Sequence, residues 1–151
     1  MRRSFKVAFK DVPEYPQENT NTLSPKDFAA KAAELLLDQK ALDTVILDVA
    51  PISSIADYLV VCSGTSERHV QGIADKLIER CKLIGEIPVR VSGLDNSNWS
   101  IIDFGNVIVH VFYEPTRQFY DFDNLWSKGV KIALPEELQK VANSLRTGLH
   151  G

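Results

Sequence analysis

A continuously apolar segment near the middle of the chain restricts the fold more than any other feature. The residues from Asp57 to Cys62 are too uniformly apolar for a sheet with one wet face, which is typical of a central strand covered on both sides. After the turn Ser63 to Ser66, apolar residues recur at offsets of three and four as far as Ile84, and Gly85 stands where a C-terminal cap belongs. We therefore predict a strand and a helix, followed at Val89 to Val91 by another strand of a βαβ-like unit with parallel pairing.

Two further apolar segments flank Gly105-Asn106, a connection typical of a tight hairpin. Pairing Phe104 with Val107 fixes the register and gives the predicted hairpin two different faces. One face is wholly apolar and is expected to be covered by helices. The other face is mixed and resembles an interface more than an interior. Its members are Trp99, Ile101, Asp103, Ile108, His110 and Phe112.

The ends of the chain differ from this central part. Residues 1–22 are polar and contain two prolines, so we predict a flexible N-terminal arm. Ser24-Pro25 is typical of a helix start, and Thr44 to Val49 of a strand. Glu114-Pro115 predicts a helical stretch ending near Gly129. Residues 23–130 are then one domain, and residues 131–151 a C-terminal helical extension.

The predicted fold is therefore a single α/β domain, with a mixed β-sheet of about five strands and helices against it. The net charge of −3 argues against broad attraction to RNA phosphates, so little direct RNA contact is expected. The sequence contains no apolar stretch of membrane-spanning length, and its basic start lacks the apolar core of a secretory signal. Cys62 and Cys81 are expected to be buried thiols. We expect a cytoplasmic protein without membrane attachment.

Few residues are arranged for catalysis. Gly64-Thr65-Ser66 could hold a phosphate, but a turn with a helix cap explains it better because no Walker lysine follows. A nucleotidyltransferase needs two strand carboxylates to hold magnesium, and the corresponding strand offers only Asp103. Asp103 and His110 could form a hydrogen-bonded pair, but no nucleophile is placed beside them. We predict no catalytic residues, no metal and no cofactor.

In order and spacing, several segments resemble the ribosomal silencing factors related to Iojap, over roughly Phe28 to Gly129. The segments that carry this resemblance are Asp57-Tyr58-Leu59-Val60-Val61, Ser63-Gly64-Thr65-Ser66-Glu67-Arg68-His69-Val70, Ile73-Ala74-Asp75, Trp99-Ser100-Ile101-Ile102-Asp103-Phe104-Gly105, Val107-Ile108-Val109-His110-Val111-Phe112, and Arg117-Gln118-Phe119-Tyr120 through Leu125-Trp126. The chain departs from the family pattern at Asn106, where an acid is usual.

The resemblance implies a fold like that of nucleotidyltransferases, without their catalytic carboxylate pair or activity. It also implies binding to protein fourteen of the large ribosomal subunit, which keeps the small subunit away and represses translation. Carried over residue by residue, the expected partner contacts are Trp99, Asp103, His110, Arg117, Tyr120 and Trp126. Two alternatives stay open: a metal-dependent nucleotidyltransferase, and a dimeric scaffold whose mixed face pairs with itself.

Overall fold

The structure is a computed structural model that describes residues 23–93 and 98–150, without the side chains of residues 148–150. The predicted flexible arm, residues 1–22, lies outside the described residues. The described residues form five helices and six strands. In chain order these are α1 (Pro25–Asp38), β1 (Leu42–Asp48), β2 (Tyr58–Gly64), α2 (Glu67–Leu83), β3 (Arg90–Ser92), β4 (Trp99–Asp103), β5 (Val107–Tyr113), α3 (Glu114–Tyr120), α4 (Phe122–Leu125), β6 (Val130–Ile132) and α5 (Glu136–His150).

All six strands join one mixed sheet in the order β3-β4-β5-β2-β1-β6. The pair β2 and β5 is parallel, and the other neighbouring pairs are antiparallel. β2 lies inside the sheet, and every residue in it after Tyr58 is buried. The single α/β domain, its mixed sheet and its covered central strand are confirmed, with one strand more than the predicted five or so.

The parallel pairing differs from the simplest form of the predicted βαβ unit. β3 runs in the same direction as β2 but lies at the far edge of the sheet, because the β4-β5 hairpin occupies the two positions between them. The parallel neighbour of β2 is therefore β5. A βαβ pattern predicts the direction of its second strand. It does not predict that two strands from later in the chain will lie between the first strand and the second.

The two main helices begin at serine caps. Ser24 Oγ accepts a hydrogen bond from the Asp27 amide at 3.1 Å, and Ser66 Oγ accepts one from the His69 amide at 3.0 Å. Each hydroxyl satisfies one of the first amides of its helix, which have no intrahelical acceptor. At the other end of α2, Gly85 adopts φ +84°, the left-handed conformation that ends many helices. The Gly64-Thr65-Ser66 segment thus serves as a turn and a cap.

The predicted register of the β4-β5 hairpin is confirmed pair by pair from Trp99–Phe112 to Asp103–Ile108. The Phe104 amide also donates to the Val107 carbonyl at 2.9 Å, next to the Gly105 turn at φ +100°. The wholly apolar face packs under α1 and α2, where the Phe28 and Phe104 rings meet edge to face at 4.9 Å. None of the helices in the described residues is long and apolar enough to cross a membrane.

The segment after the hairpin departs from prediction in two places. The expected helix from Glu114 to about Gly129 is divided at Asp121, whose φ of +52° and ψ of +45° separate α3 from α4. Strand β6 was not predicted, and it pairs with β1 from Ile46–Ile132 to Asp48–Val130. The predicted boundary after residue 130 falls inside β6. The C-terminal segment therefore begins as a sheet strand before α5 packs on β1 and α1.

Candidate functional site

The Trp99 side chain lies at the centre of a group of aromatic rings on the mixed face of the sheet. Its ring centroid is 4.6 Å from that of Phe112, 5.4 Å from that of Tyr120 and 6.0 Å from that of Phe122. Phe112 and Phe122 are buried, so one side of the indole rests on a second core cluster, while Trp99 itself is only partly covered. An indole held on a packed base loses little freedom when a partner binds.

More side chains of the mixed face are buried than the sequence predicted. Ile108 and Phe112 are both buried, because Phe122 of α4 packs over them. The residues that stay partly accessible are Trp99, Ile101, Asp103 and His110. A partner could therefore reach the face only around α4 and not across the whole hairpin.

His110 and Asp103 do not form the hydrogen bond that the register suggested. The Trp99 indole N–H donates to His110 Nδ1 at 3.1 Å, and Asp103 Oδ1 accepts from the Gly105 amide at 2.7 Å. Each side chain thus has a nearer local partner. Burial lowers the pKa of His110 to about 4, so the ring is neutral near pH 7 and carries its proton on Nε2.

A depression of about 310 Å³ lies beside this group. Asp103, His110 and Trp126 line it together, so the structure brings together three of the predicted contact residues from three separate segments. Arg90 contributes a cation, and Ile55 lies at 74% exposure on the same depression. Sequence reasoning did not single out Ile55, because it sits in an irregular segment without periodicity.

Two aromatic side chains of α3 project into solvent beside Trp99. Tyr120 is 55% exposed and Phe119 81% exposed, and their ring centroids are 5.1 Å apart. The Tyr120 ring also contacts Trp99, so these rings are continuous with the depression through Trp99 and His110. We call this area the aromatic surface. It consists of Trp99, Asp103, His110, Phe119, Tyr120 and Trp126.

Arg117 is not part of the aromatic surface as an accessible side chain. It is 6% exposed, and its Nη1 donates to Ser63 Oγ at 2.9 Å and to the Asp43 carbonyl at 3.0 Å. Its Nε and Nη2 donate to Asp123 Oδ1 at 3.3 and 3.0 Å. The guanidinium therefore ties α3 to α4 and to the central strands. The structure thus places this predicted contact residue beneath the surface, with its guanidinium bonded to other parts of the chain.

The turn before α2 uses its polar groups internally. His69 accepts from the Thr65 amide through Nδ1 at 2.9 Å, and its Nε2 donates to the Gln39 carbonyl at 2.9 Å. The ring thereby links the first turn of α2 to the end of α1. The Thr65 amide, which a phosphate would need, is already bonded.

The groups available for covalent chemistry are few among the described residues. Burial raises the pKa of both Cys62 and Cys81 to about 12, so neither thiol is a ready nucleophile. Ser63 is fully buried and accepts from Arg117. In the part of the chain that the structure describes, no three His, Cys, Asp or Glu side chains lie close enough together to hold a metal ion.

Comparison with known proteins places this geometry in a family. The family model described as "Ribosomal silencing factor during starvation" matches residues 22–148. The chain is 33% identical over 118 residues to the ribosomal silencing factor RsfS of Zymomonas mobilis, which covers 78% of this chain and 89% of that protein. It is 34% identical over 104 residues to RsfS of Bacillus subtilis, covering 69% and 88%.

The fold agrees with this match. A crystal structure of a Chromobacterium violaceum protein superposes with a TM-score of 0.68 at 29% identity, covering 74% of this chain and 92% of the other. A second crystal structure, from Bacillus halodurans, gives 0.65 at 32% identity, covering 72% and 99%. Since the family model spans most of the described residues, the chain belongs to the ribosomal silencing factor family.

Proposed function

We propose that this protein binds protein fourteen of the large ribosomal subunit through the aromatic surface and thereby blocks joining of the small subunit. The ribosomal silencing factors that the chain resembles supply the functional class. A mouse relative named "Mitochondrial assembly of ribosomal large subunit protein 1" points to the same subunit, at 31% identity over 96 residues, covering 62% of this chain and 42% of that protein. For the present chain we expect this action in the cytoplasm.

The observation that carries the proposal is the exposure of aromatic rings on a rigid base. Phe119 and Tyr120 are exposed beside the partly covered Trp99. Contiguous exposed apolar side chains of this kind are uncommon on monomeric proteins and mark interaction surfaces. Tryptophan and tyrosine are over-represented among the residues that dominate binding energy, since they bury large areas and lose few rotamers. The aromatic surface has these anchors at its centre, with the neutral His110 and Asp103 as polar groups beside them.

In this arrangement Arg117 acts indirectly. By joining Asp123 to Ser63 and the Asp43 carbonyl, it fixes the end of α3 from which Tyr120 projects. Inhibition then needs no bond to be made or broken, because a bound domain excludes the other subunit by its volume. We therefore propose a translation repressor that is not an enzyme and that makes little direct contact with RNA.

Sedimentation of recombined ribosomal subunits tests the proposal. Purified protein is expected to travel with the large subunit and to lower the whole-ribosome peak in proportion to its occupancy. Tyr120→Ala removes an exposed ring with little effect on the core, and should abolish both effects. Leu83→Ala is the matched control, because Leu83 is also an exposed apolar residue, at 68%, but lies on α2. A protein that remains at the top of the gradient would contradict the proposal.

The same surface could pair with a second copy of the chain, and such a dimer would have to open before binding the subunit. Sedimentation velocity over a range of concentrations measures this directly. If a dimer forms through the aromatic surface, Tyr120→Ala will weaken it, and added large subunit will convert dimer to bound monomer. A dimer that Tyr120→Ala leaves intact must use another surface.

A further inference from the structure

A second cavity, of about 620 Å³, adjoins the depression described above and shares Trp126 with it. It is bounded by β1 and β6, by α5, and by the segment from Asp123 to Gly129. In the described residues β6 pairs with the second half of β1, from Ile46 onward, so the first half of β1 has no neighbouring strand on the side away from β2. A volume of this size is typical of small-molecule sites.

One buried polar group in the cavity has no partner. Thr44 lines the cavity and is 5% exposed, and its Oγ1 makes no hydrogen bond within the described residues. Native proteins leave few buried hydroxyls unpaired, because such a group loses its bonds to water and gains none. The oxygen itself has almost no accessible surface, so a ligand would satisfy it after the Thr44 side chain rotates toward the cavity.

The charged side chains that line the cavity among the described residues are paired with one another, except for one cation. Arg117 is paired with Asp123 at 3.0 Å, and Arg146 with Asp43 and Glu114. Lys131 also lines the cavity, and no carboxylate among the described residues lies within ion-pair distance of its ammonium group. Among the three cations of the described lining, Lys131 is therefore the one without a carboxylate partner, and it can bind an anionic group.

The rest of the lining suits a planar ring with polar edges. The Trp126 indole lines the cavity beside apolar side chains such as Leu47. Gln139 and Asn143 present side-chain amides from one face of α5, with Gln139 Nε2 donating to Asn143 Oδ1 at 3.0 Å. An aromatic wall can stack on a base, and amides can exchange hydrogen bonds with its edge.

We propose that this cavity binds a free mononucleotide. The base would stack on Trp126 near the two amides, the phosphate would pair with Lys131, and a sugar hydroxyl would bond to Thr44. The single available cation favours one phosphate group over a polynucleotide, whose binding needs several. This proposal does not depend on the ribosomal function, although Trp126 belongs to the aromatic surface as well as to the cavity lining.

Calorimetric titration of the full chain with AMP, GMP, CMP and UMP tests the proposal. We expect saturable one-to-one binding of at least one of them. Thr44→Val keeps the side-chain shape and removes the hydroxyl, and should weaken binding about fivefold. Lys131→Gln should weaken it about tenfold. Lys140→Gln is the matched control, since Lys140 lies exposed on α5 outside the cavity lining and should leave the affinity unchanged.

Folding is checked separately by thermal unfolding without nucleotide. Thr44→Val should unfold at the same or a higher temperature, because it removes an unsatisfied buried hydroxyl, so weaker binding cannot be attributed to a damaged fold. The proposal is overturned if none of the four mononucleotides binds, or if Thr44→Val and Lys131→Gln bind as tightly as the unchanged protein. Binding of a short oligoribonucleotide without binding of any mononucleotide would also overturn it.

Discussion

The indole nitrogen of Trp99 donates a hydrogen bond to Nδ1 of His110 across 3.1 Å, between diagonal positions of the β4-β5 hairpin. Nδ1 can accept only while it is unprotonated, so the bond requires the neutral ring. Burial favours that form as well, by lowering the pKa of His110 to about 4. The position of the Trp99 ring is thereby coupled to the protonation state of a neighbour on the opposite strand.

Acid should destabilise the protein through His110. Between its ordinary pKa of 6.5 and the lowered value of about 4, the unfolded chain binds a proton that the folded chain does not. The contribution is complete above pH 6.5 and is lost as the pH falls to about 4, and it amounts to about 3 kcal/mol. Urea unfolding measured between pH 4 and pH 7 should show this loss. In His110→Gln, which keeps an acceptor but does not titrate, the free energy of unfolding should fall less steeply.

Trp99→Ala should lower the affinity for the large subunit about thirtyfold, or ~2 kcal/mol, if Trp99 is a central anchor. The effect is measured by co-sedimentation over a range of protein concentrations. Because Trp99 also packs on Phe112, the variant will lose some stability. Phe104→Leu provides a comparison, since it weakens the core from the opposite face of the sheet and should retain affinity. Unchanged affinity in Trp99→Ala would remove Trp99 from the contact.

Trp99 also shows how much of the site could be predicted. Its pairing with Phe112 follows from a two-residue turn and the alternation of the flanking strands, both of which lie within fifteen residues of the chain. The caps at Ser24 and Ser66 are local in the same sense. Such features depend on neighbouring residues, so the sequence predicts them well.

What could not be predicted depends on distant segments. The burial of Arg117 requires Ser63 and the Asp43 carbonyl, which are 54 and 74 positions away. The helix break at Asp121 has no breaker residue, because aspartate adopts the left-handed conformation without the signature of a glycine. β6 has only three residues, too few for an alternation to be recognised.

Replacing Arg117 should lower the free energy of unfolding, because its guanidinium is buried and hydrogen-bonded within the fold. Arg117→Met keeps much of the side-chain volume but leaves Ser63 Oγ and the Asp43 carbonyl without their donor. We expect the free energy of unfolding to fall by about 2–4 kcal/mol, as measured by urea denaturation. Arg117→Lys should not restore it, because one ammonium cannot reach three separate acceptors. Wild-type stability in either variant would contradict the positioning role.

Two glycines near the start of α2 should respond in opposite directions to substitution by alanine. A Cβ at Gly64 would lie 2.9 Å from Val70 Cγ2 and 3.1 Å from the Val70 amide nitrogen, so the helix could not approach the end of β2 as closely. Gly64→Ala should therefore lower the free energy of unfolding by about 1–3 kcal/mol. Gly72 lies inside α2 with nothing within 4 Å of its would-be Cβ.

Gly72→Ala should raise the free energy of unfolding by about 0.5–1 kcal/mol, because alanine loses less backbone entropy than glycine in a helix. Both variants are measured by thermal and urea unfolding under the same conditions. The two changes add the same methyl group eight residues apart, so a difference in sign isolates the close approach of Val70 to Gly64. Destabilisation of similar size at both positions would show instead that the contact at Val70 is not the cause.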